Sequence, residues 1–437
     1  MSKHLSPEEI LALREKYLLP GTSTYYEKPL HIVKGEMQFV FDHTGKRYLD
    51  AFGAVVTISA GHCHPDILKR TMAQSEQLQH ITSLYLTEPV VRAAEKLATI
   101  AKDANPKMQK CFFTNSGTEA NELMGILAKA YTKSHEFVAL YHSFHGRTLF
   151  SMGLTGQSTW RHSMPYSYGA KLVPSAYCYQ CPLKLEYPTC GVACADQVED
   201  AVKYSTAGKI AAYIAEPIQG NGGVIDPPKE YFPKVYDIVK KYGGLYVSDE
   251  VQTGFGRTGG KWFGIEQWGV KPDIITMAKG LGNGAPAGGV VTTSEVAEPM
   301  RQLSHFSTYG GNPVTTTQVL ATIETIEARG YKENAATVGG YLKEKLVQLK
   351  VKHPLVGDVR GKGLMLGVEF VKSRESREPA AKETARVMEA CKERGVLVGK
   401  GAQAGNVIRI KPPLCVTKDD ADTVIDALDG AIREAAK

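Results

Sequence analysis

A strand that ends in charged residues is indicated just past the middle of the chain by Leu245-Tyr246-Val247-Ser248-Asp249-Glu250-Val251-Gln252. A short apolar run rich in aromatic and β-branched residues is typical of a buried strand. A carboxylate at the end of such a strand is costly to bury unless a cation lies beside it. Asp249 therefore predicts a positively charged partner, which is either a bound ligand or an arginine of the chain.

Similar apolar runs alternate with helix-length segments from about residue 55 to residue 320. The predicted strands of this region are Cys111–Thr114, Phe137–Tyr141, Ile210–Glu216, Gly244–Ser248, Ile274–Ala278 and Gly289–Thr292. Strands separated by helices indicate a mainly parallel sheet that is covered on both faces. The fold class predicted for the chain is therefore α/β.

The two ends of the chain predict a second, smaller α+β domain. Ser6 and Glu9 form a capping box for a first helix that should run to Tyr17 or Leu18, and residues 36–49 alternate around a turn as a β-hairpin does.

At the other end of the chain, a long helical stretch from about Thr315 to Lys350 should lead into three strands and a last helix. The strands are expected near Leu366–Phe370, Val396–Val398 and Val407–Ile410, and the last helix should begin at Thr417.

Composition and charge exclude several classes of protein. The 437 residues carry 52 Lys and Arg against 46 Asp and Glu, a net charge of +6 without a block of like charges, so no nucleic-acid partner is indicated. No run of eighteen apolar residues is present, and residues 1–5 lack the apolar core of a secretory signal. Eight cysteines are too few for a disulfide scaffold. We therefore expect a cytoplasmic protein with no membrane partner.

The first candidate binding segment is Asn115-Ser116-Gly117-Thr118-Glu119-Ala120-Asn121-Glu122, where a predicted strand opens directly into a helix. In α/β sheets ligands bind beyond the carboxyl ends of the strands. The free N–H groups and the positive dipole end of a helix start favour a phosphate, and the hydroxyls of Ser116 and Thr118 add donors. The alternative is an ordinary serine or threonine N-cap.

The second candidate is a lysine that ends a strand among glycines, in Met277-Ala278-Lys279-Gly280-Leu281-Gly282. Desolvation at such a place lowers the pKa of a lysine and makes its amine a Schiff-base nucleophile and a proton carrier. The alternative is an ion-paired or surface-reaching lysine. A phosphate-binding helix start, a strand-end carboxylate and a strand-end lysine together are the parts of a pyridoxal phosphate site.

A series of motifs along nearly the whole chain resembles the class-III aminotransferases, a fold-type-I family. The motifs are Gly61-His62-Cys63-His64-Pro65, Asn115-Ser116-Gly117-Thr118-Glu119-Ala120, Phe144-His145-Gly146, Glu216-Pro217-Ile218-Gln219-Gly220, Asp249-Glu250-Val251-Gln252-Thr253-Gly254, Ala278-Lys279-Gly280 and Ser307-Thr308-Tyr309-Gly310-Gly311-Asn312-Pro313. The resemblance implies a pyridoxal-phosphate-dependent aminotransferase. We predict that residues 55–320 form the large cofactor-binding domain, and that residues 1–54 and 321–437 form the small domain.

The resemblance also implies roles by position. Lys279 and Asp249 would be catalytic, because Lys279 holds the cofactor and Asp249 pairs with its ring nitrogen. The residues implied to bind the cofactor are Ser116, Gly117 and Thr118 at the phosphate, Phe144 and Val251 on the two ring faces, Gln252 at the ring hydroxyl, His145, Glu216, Asp249, Lys279 and Thr308. Thr308 would come from a partner subunit, so the resemblance implies a homodimer, with a tetramer left open.

Within the family, the C-terminal runs Gly395–Gly401 and Arg409–Cys415 resemble the alanine–glyoxylate branch, which uses pyruvate or glyoxylate. Arg409 matches the arginine that binds the substrate's α-carboxylate. Where ornithine and 4-aminobutyrate aminotransferases place a glutamate to pair with this arginine, the chain has Asn221, which disfavours those two assignments.

The sequence leaves three questions open, namely the reaction type, the amino donor and the role of four cysteines. An omega-amino acid transaminase that uses 2-oxoglutarate, or a decarboxylase, aminomutase or phospholyase, would use the same scaffold. The pocket wall, expected to include Val55, Val56 and Tyr85, selects the amino donor by shape, so the donor is not identified. The spacing of four cysteines would allow a zinc site, and the alternative is four reduced thiols that bind no metal. These cysteines are Cys178, Cys181, Cys190 and Cys194. No metal is predicted.

Overall fold

The structure, a computed structural model, describes residues 5–162 and 169–437. Residues 1–4, which enter the argument about a secretory signal, lie outside the described residues. The α-helices are α1 (Pro7–Tyr17), α2 (Gly53–Val56), α3 (Pro65–Gln77), α4 (Glu88–Ala101), α5 (Gly117–Thr132), α6 (Leu149–Leu154), α7 (Ala193–Ser205), α8 (Tyr231–Lys241), α9 (Ser294–Ala297), α10 (Pro313–Ala328), α11 (Tyr331–Lys352), α12 (Ala381–Glu393) and α13 (Lys418–Ala435). Short 3₁₀ helices lie at Ser158–Trp160, Cys178–Gln180, Gly264–Trp268, Lys279–Leu281 and Glu298–Gln302.

The strands form three sheets within the described residues. They are β1 (Ile32–Glu36), β2 (Phe39–Asp42), β3 (Arg47–Asp50), β4 (Met108–Thr114), β5 (Phe137–Leu140), β6 (Ala170–Val173), β7 (Ala212–Ala215), β8 (Leu245–Asp249), β9 (Ile274–Met277), β10 (Gly288–Thr293), β11 (Val356–Lys362), β12 (Met365–Phe370), β13 (Val396–Leu397), β14 (Gly399–Gly401) and β15 (Val407–Ile410). The central sheet has the order β4-β10-β9-β8-β7-β5-β6, and only β10 runs against its neighbours.

Both faces of the central sheet are buried, as the residues of β5 show. Val138 and Leu140 belong to a core with residues of α4, α7 and α8, whereas Phe137 and Ala139 belong to a second core with residues of α5. Successive side chains of a strand point to opposite faces. The prediction of a mainly parallel sheet with helices on both faces is therefore confirmed.

The structure differs from the sequence-based prediction at several places in the fold. Strand β6, a half-buried edge strand, was not predicted, and neither were the edge strands β1, β11 and β14 of the other two sheets. The strand predicted at Gly289–Thr292 is present as β10 but is antiparallel. The helical stretch predicted from Thr315 to Lys350 is two helices, because the chain turns at Gly330 with a φ of 63°. This left-handed conformation is one that glycine adopts readily.

A smaller unit combines both ends of the chain. The β1-β2-β3 meander, which contains the predicted hairpin, is joined by β13, whose Val396 pairs with Leu49 in parallel. The third sheet has the order β11-β12-β15-β14 and is antiparallel throughout. The predicted domain boundaries at residues 54 and 320 stay a prediction, and α10 runs without a break through residue 320.

Two helix starts follow the predicted capping chemistry. The Ser6 side chain accepts a hydrogen bond from the backbone N–H of Glu9, and the Glu9 carboxylate accepts one from the backbone N–H of Ser6. Thr417 and Asp420 make the same exchange at the start of α13. No helix among the described residues is both long and apolar enough to cross a membrane.

Candidate active site

A cavity of about 340 Å³ lies at the ends of β4, β8 and β9, the edge of the sheet where ligands were expected. Its lining residues are Thr57, Asn115, Ser116, Gly117, Thr118, Asn121, Phe144, His145, Gly146, Asp249, Val251, Ala278, Lys279, Gly284, Ala285, Pro286 and Ala287. The structure thus brings together the predicted phosphate-binding helix start, the strand-end carboxylate and the strand-end lysine.

Lys279 follows β9 directly and lines the cavity in a strained backbone conformation. Its φ is 46°, in the left-handed region that non-glycine residues rarely adopt, and its amine makes no hydrogen bond among the described residues. Burial lowers the pKa of the Lys279 amine, against the opposing influence of Asp249 and Glu216. A lowered pKa makes more of the amine available as a neutral nucleophile.

The loop that contains Lys279 is hydrogen-bonded to residues 59 and 60, which follow a second strained segment. The Ser59 hydroxyl donates to the carbonyl of Gly280 (2.8 Å), and the side-chain oxygen of Asn283 accepts from the backbone N–H groups of Ser59 and Ala60 at 3.0 and 2.9 Å. The preceding residues 54–56 all have φ between 47° and 67°. Left-handed conformations in β-branched residues cost about 1–3 kcal/mol each and persist only where surrounding contacts hold them.

Asp249 ends β8 and receives three hydrogen bonds. Its Oδ2 accepts from His145 Nδ1 (2.7 Å) and Asn121 Nδ2 (2.9 Å), and its Oδ1 accepts from the backbone N–H of Val251 (3.1 Å). Burial alone would raise the pKa of Asp249, but the hydrogen bonds and charge of His145, with those of Asn121 and Val251, outweigh it and lower the pKa. The carboxylate therefore stays ionised, and no arginine among the described residues pairs with it.

Ser116 is the N-cap of α5 and also lines the cavity, so its predicted contact with a phosphate stays a prediction. Its hydroxyl accepts a hydrogen bond from the backbone N–H of Glu119 (3.2 Å). A Cβ at Gly117 would lie 2.8 Å from Val251 Cγ2, so only glycine lets this helix start approach the Val251 side chain so closely. The first N–H groups of the helix are therefore open to an anion in the cavity.

Three other residues with predicted cofactor contacts do not line the cavity. Glu216 is buried beneath it and accepts from the backbone N–H groups of Phe144 (3.0 Å) and Gly220 (2.8 Å), and burial raises its pKa. Gln252 accepts a hydrogen bond from Lys411 through Oε1 (2.9 Å). Thr308 is exposed on the surface of its own chain.

Arg409 lies beside this region without an acidic partner among the described residues. Its Nη2 donates to the carbonyl of Lys400 (2.6 Å), and its Nη1 is 3.4 Å from both the Gly220 carbonyl and Asn221 Oδ1. Its guanidinium lies over the ring of Phe52, 4.9 Å from the centroid, and its Nε is buried with no hydrogen-bond partner.

The residues expected on the pocket wall lie elsewhere. Val55 and Tyr85 are 44% and 62% exposed, Val56 is buried, and none of the three lines the cavity of this chain. The wall residue at that position is Thr57, one residue further along. Asn121, which donates to Asp249, lies in the predicted phosphate-binding segment, but no role was predicted for it, although its place one turn into α5 faces the cavity.

The four cysteines whose spacing allowed a zinc site come together outside the active site. Cys178, Cys181, Cys190 and Cys194 line one small apolar cavity of about 20 Å³, and all four are free thiols. Burial raises the pKa of Cys178 to about 11 and that of Cys194 to about 12, with smaller contributions from the neighbouring thiols. Within residues 5–162 and 169–437, no group of three or more potential ligands is arranged to hold a metal ion.

The cavity, its donors and the fold around it together define a class of protein. A nucleophilic lysine, an ionised carboxylate and an open helix start on one mainly parallel sheet fit the aldehyde, ring nitrogen and phosphate of pyridoxal phosphate. The site is therefore that of a pyridoxal-phosphate-dependent enzyme of fold type I.

Comparison with known proteins identifies the family. The sequence profile of the family described as "Aminotransferase class-III" matches residues 22–432, and the chain belongs to this family. A mitochondrial alanine–glyoxylate aminotransferase 2 homolog of Arabidopsis thaliana is 48% identical over 97% of this chain and 87% of its own length. A leucine/methionine racemase of Thermococcus litoralis is 37% identical, over 98% of this chain and 96% of its own.

A solved structure supports the same conclusion. The chain superposes on a pyridoxal-phosphate-bound amine transaminase from an uncultivated Pseudomonas species with a TM-score of 0.90, 30% identity, and coverage of 96% of this chain and 99% of the other. The protein is thus an aminotransferase whose cofactor is pyridoxal phosphate.

Proposed function

We propose that this aminotransferase delivers the amino group to a small 2-oxo acid, pyruvate or glyoxylate. The observation that carries the proposal is Arg409, a buried guanidinium with only carbonyl, amide and aromatic neighbours among the described residues. A planar fork of donors without an acidic partner suits a carboxylate of the substrate. The relative named alanine–glyoxylate aminotransferase supports the same acceptors.

In the proposed mechanism, Lys279 and Asp249 divide the proton chemistry. When bound, pyridoxal phosphate supplies an aldehyde that bonds to amines and a ring that withdraws electrons from the substrate carbon. Lys279 would hold that aldehyde through its amine and, as a free amine, would move a proton to or from the substrate carbon. Asp249 stays ionised and holds the proton on the ring nitrogen, while His145 and Asn121 fix the carboxylate in place.

The remaining residues bind and orient the cofactor in this proposal. Ser116, Gly117 and Thr118 would hold the phosphate through the open N–H groups of α5 and the hydroxyls of Ser116 and Thr118. Phe144 and Val251, which line the cavity, would contact the two faces of the ring. Glu216 acts indirectly, because its carboxylate accepts a hydrogen bond from the backbone N–H of Phe144 and so positions that residue.

Replacing Arg409 by alanine tests the proposed carboxylate contact. The KM for pyruvate or glyoxylate should rise about 10- to 150-fold, because a hydrogen bond to a charged group contributes about 1.5–3 kcal/mol. The KM for an amine donor without a carboxylate should change far less. Steady-state kinetics with each substrate varied in turn measure both values, and Asn221→Glu should weaken use of the keto acid in the same direction by pairing with Arg409. An unchanged keto-acid KM in Arg409→Ala would refute the contact.

The acceptor itself is tested by comparing kcat/KM for pyruvate, glyoxylate and 2-oxoglutarate with one donor. We expect the two small acids to be preferred. A preference for 2-oxoglutarate would instead support the omega-amino acid alternative. Because the Thermococcus relative is named a racemase, the comparison should also record whether the donor changes configuration without keto-acid consumption.

A homodimer is part of the proposal, with a tetramer left open. Leu84, Leu86 and Tyr309 are 77%, 103% and 64% exposed, and the ring of His80 lies 5.2 Å from that of Tyr309, so the two segments share one surface. Large exposed apolar side chains in one area are typical of a protein interface. The same surface includes Thr308, the residue expected to reach a partner's cofactor.

Leu86→Asp should shift the protein from dimer to monomer, because a dimer would bury the new carboxylate without a partner. Light scattering after size-exclusion chromatography measures the mass. The control is Val351→Asp on α11, which changes an 80% exposed side chain at another surface and should leave the mass unchanged. A dimer that persists in Leu86→Asp would place the interface elsewhere.

A cytoplasmic location stays a prediction. The Arabidopsis relative is named as mitochondrial, so the two locations are distinguished by fractionating cells that express the protein from its own gene. Recovery with a mitochondrial or other organellar marker would contradict the prediction.

A further inference from the structure

Lys411 is a fully buried lysine that the proposed mechanism does not use. It follows β15, with 0% of its surface exposed, and its amine donates to Gln252 Oε1 (2.9 Å) and lies 3.4 Å from the carbonyl of Gly220. No carboxylate among the described residues accepts a hydrogen bond from it. Glu216, an acid that raises the pKa of the Lys411 amine against the effect of burial, already accepts hydrogen bonds from two backbone N–H groups.

A buried lysine without an acidic partner is costly, so its hydrogen bonds to neutral groups have to offset that cost. The cost is greater here because two other buried cations lie close by. Arg409 shares the Gly220 carbonyl with Lys411, and Arg257 donates to the carbonyls of Leu364 and Pro412. Among the described residues, the acceptors of the Lys411 amine are therefore two neutral oxygens, the Gln252 amide oxygen and the Gly220 carbonyl.

The contact with Lys411 determines which way the Gln252 amide faces. In the structure the Lys411 amine donates to Gln252 Oε1, so Oε1 faces Lys411 and Nε2 faces away from it. The opposite end of the amide, Nε2, donates no hydrogen bond among the described residues. The amide also packs tightly, since a Cβ at Gly220 would lie 2.3 Å from Gln252 Oε1.

We propose that Lys411 is a positioning residue that fixes the Gln252 amide so that its NH₂ group donates to the ring hydroxyl oxygen of pyridoxal phosphate. The inference rests on the proposed cofactor contact of Gln252. Lys411 itself makes no contact with the cofactor in this account, and acts only through Gln252.

Lys411→Met removes the donor and keeps most of the side-chain length. The dissociation constant of the cofactor, measured by titrating the cofactor-free protein, should rise about tenfold, which corresponds to the loss of one ordinary hydrogen bond. The visible circular dichroism of the bound cofactor should also change, because the ring loses a fixed contact. Lys411→Gln, which retains a donor, should restore part of the affinity.

The matched control is Lys392→Met. Lys392 is another buried lysine, 3% exposed, but its amine pairs with Glu389 (2.6 Å) and lies over the ring of Tyr26, in the small domain. Its replacement should lower the melting temperature without changing the cofactor's dissociation constant or its circular dichroism. A structural role alone would make the two lysine variants behave alike.

A double-mutant cycle with Gln252→Leu tests two claims separately, namely that Gln252 contacts the cofactor and that Lys411 acts through Gln252. If Lys411 acts through Gln252, Lys411→Met should change the cofactor's dissociation constant in the native background and not in Gln252→Leu. Equal effects in both backgrounds, or no effect in either, would overturn the inference about Lys411. If Gln252→Leu alone leaves cofactor affinity and circular dichroism unchanged, the proposed contact of Gln252 is wrong, whatever Lys411 does. Should Lys411→Met not fold, the same cycle is read with Lys411→Gln.

Discussion

Lys279→Ala should lose transamination by about three orders of magnitude or more while still binding pyridoxal phosphate. The alanine removes both the amine that bonds to the cofactor and the base that moves the proton, and general acid–base catalysis alone contributes about 10²- to 10⁴-fold. The contacts at the start of α5 and at Asp249 remain. The cofactor should therefore be bound and released reversibly.

Borohydride reduction followed by peptide mapping measures the covalent contact directly. In the native protein the pyridoxyl group should be fixed on the peptide that contains Lys279, and in Lys279→Ala it should not be fixed at all. Lys411, the other buried lysine nearby, is held by Gln252 and should carry no label. Substantial transamination by Lys279→Ala, or label on another lysine of the native protein, would contradict the assignment.

Asp249→Asn should reduce turnover by about 100-fold or more while changing cofactor affinity much less. The substitution keeps the size of the side chain but removes the charge that holds a proton on the ring nitrogen. One pKa unit corresponds to about 1.4 kcal/mol, so a fall of several units in the ring nitrogen's pKa would leave that nitrogen mostly neutral at the working pH. The phosphate contacts are untouched, which is why binding should survive.

The control for Asp249→Asn is Glu250→Gln, the neighbouring buried acid. Glu250 accepts hydrogen bonds from Ser248, Thr253 and the backbone N–H groups of Gly264 and Ile265, and burial raises its pKa to about 7. Its replacement should lower thermal stability but leave kcat per folded molecule near the native value. Near-normal turnover in Asp249→Asn, with Glu250→Gln equally active, would assign the strand-end acid a structural role.

Much of the fold and the core of the site could be predicted because local pattern and sheet geometry agree. Asp249 and Lys279 each follow a short apolar run, and parallel strands bring their carboxyl ends to the same edge of a sheet. The two residues therefore lie at one cavity although 30 positions separate them in the sequence. The predicted hairpin, the capping box of Ser6 and Glu9 and the start of the last helix at Thr417 depend on neighbours only, and they are present in the structure.

Other features depend on contacts that no local pattern contains. The direction of β10 follows from its pairing with β4 and β9, since a strand's own residues do not specify parallel or antiparallel neighbours. The contacts of Asn121 with Asp249 and of Lys411 with Gln252 join residues more than a hundred positions apart. The break at Gly330 was signalled by the glycine itself and could have been predicted.

The strained backbone segments were missed by the sequence-based prediction for a different reason. Val55 and Val56 adopt left-handed backbone conformations, which β-branched residues disfavour, so intrinsic preference argues against the observed structure. Lys279 has the same kind of conformation. Strained residues are common where a functional site requires a particular backbone geometry. Here the hydrogen bonds of Ser59 and Asn283 hold the two strained segments together.

The most direct test of amino transfer to a small 2-oxo acid uses L-[¹⁵N]alanine as donor and glyoxylate as acceptor. Each half-reaction is reversible, so an enzyme that transfers an amino group to pyruvate must also take the amino group from alanine and release pyruvate. We predict that pyruvate and [¹⁵N]glycine form in equal amounts, and that 2-oxoglutarate in place of glyoxylate gives a much slower reaction. Label released as ammonia, alanine that changes configuration without forming glycine, or a faster reaction with 2-oxoglutarate would contradict it.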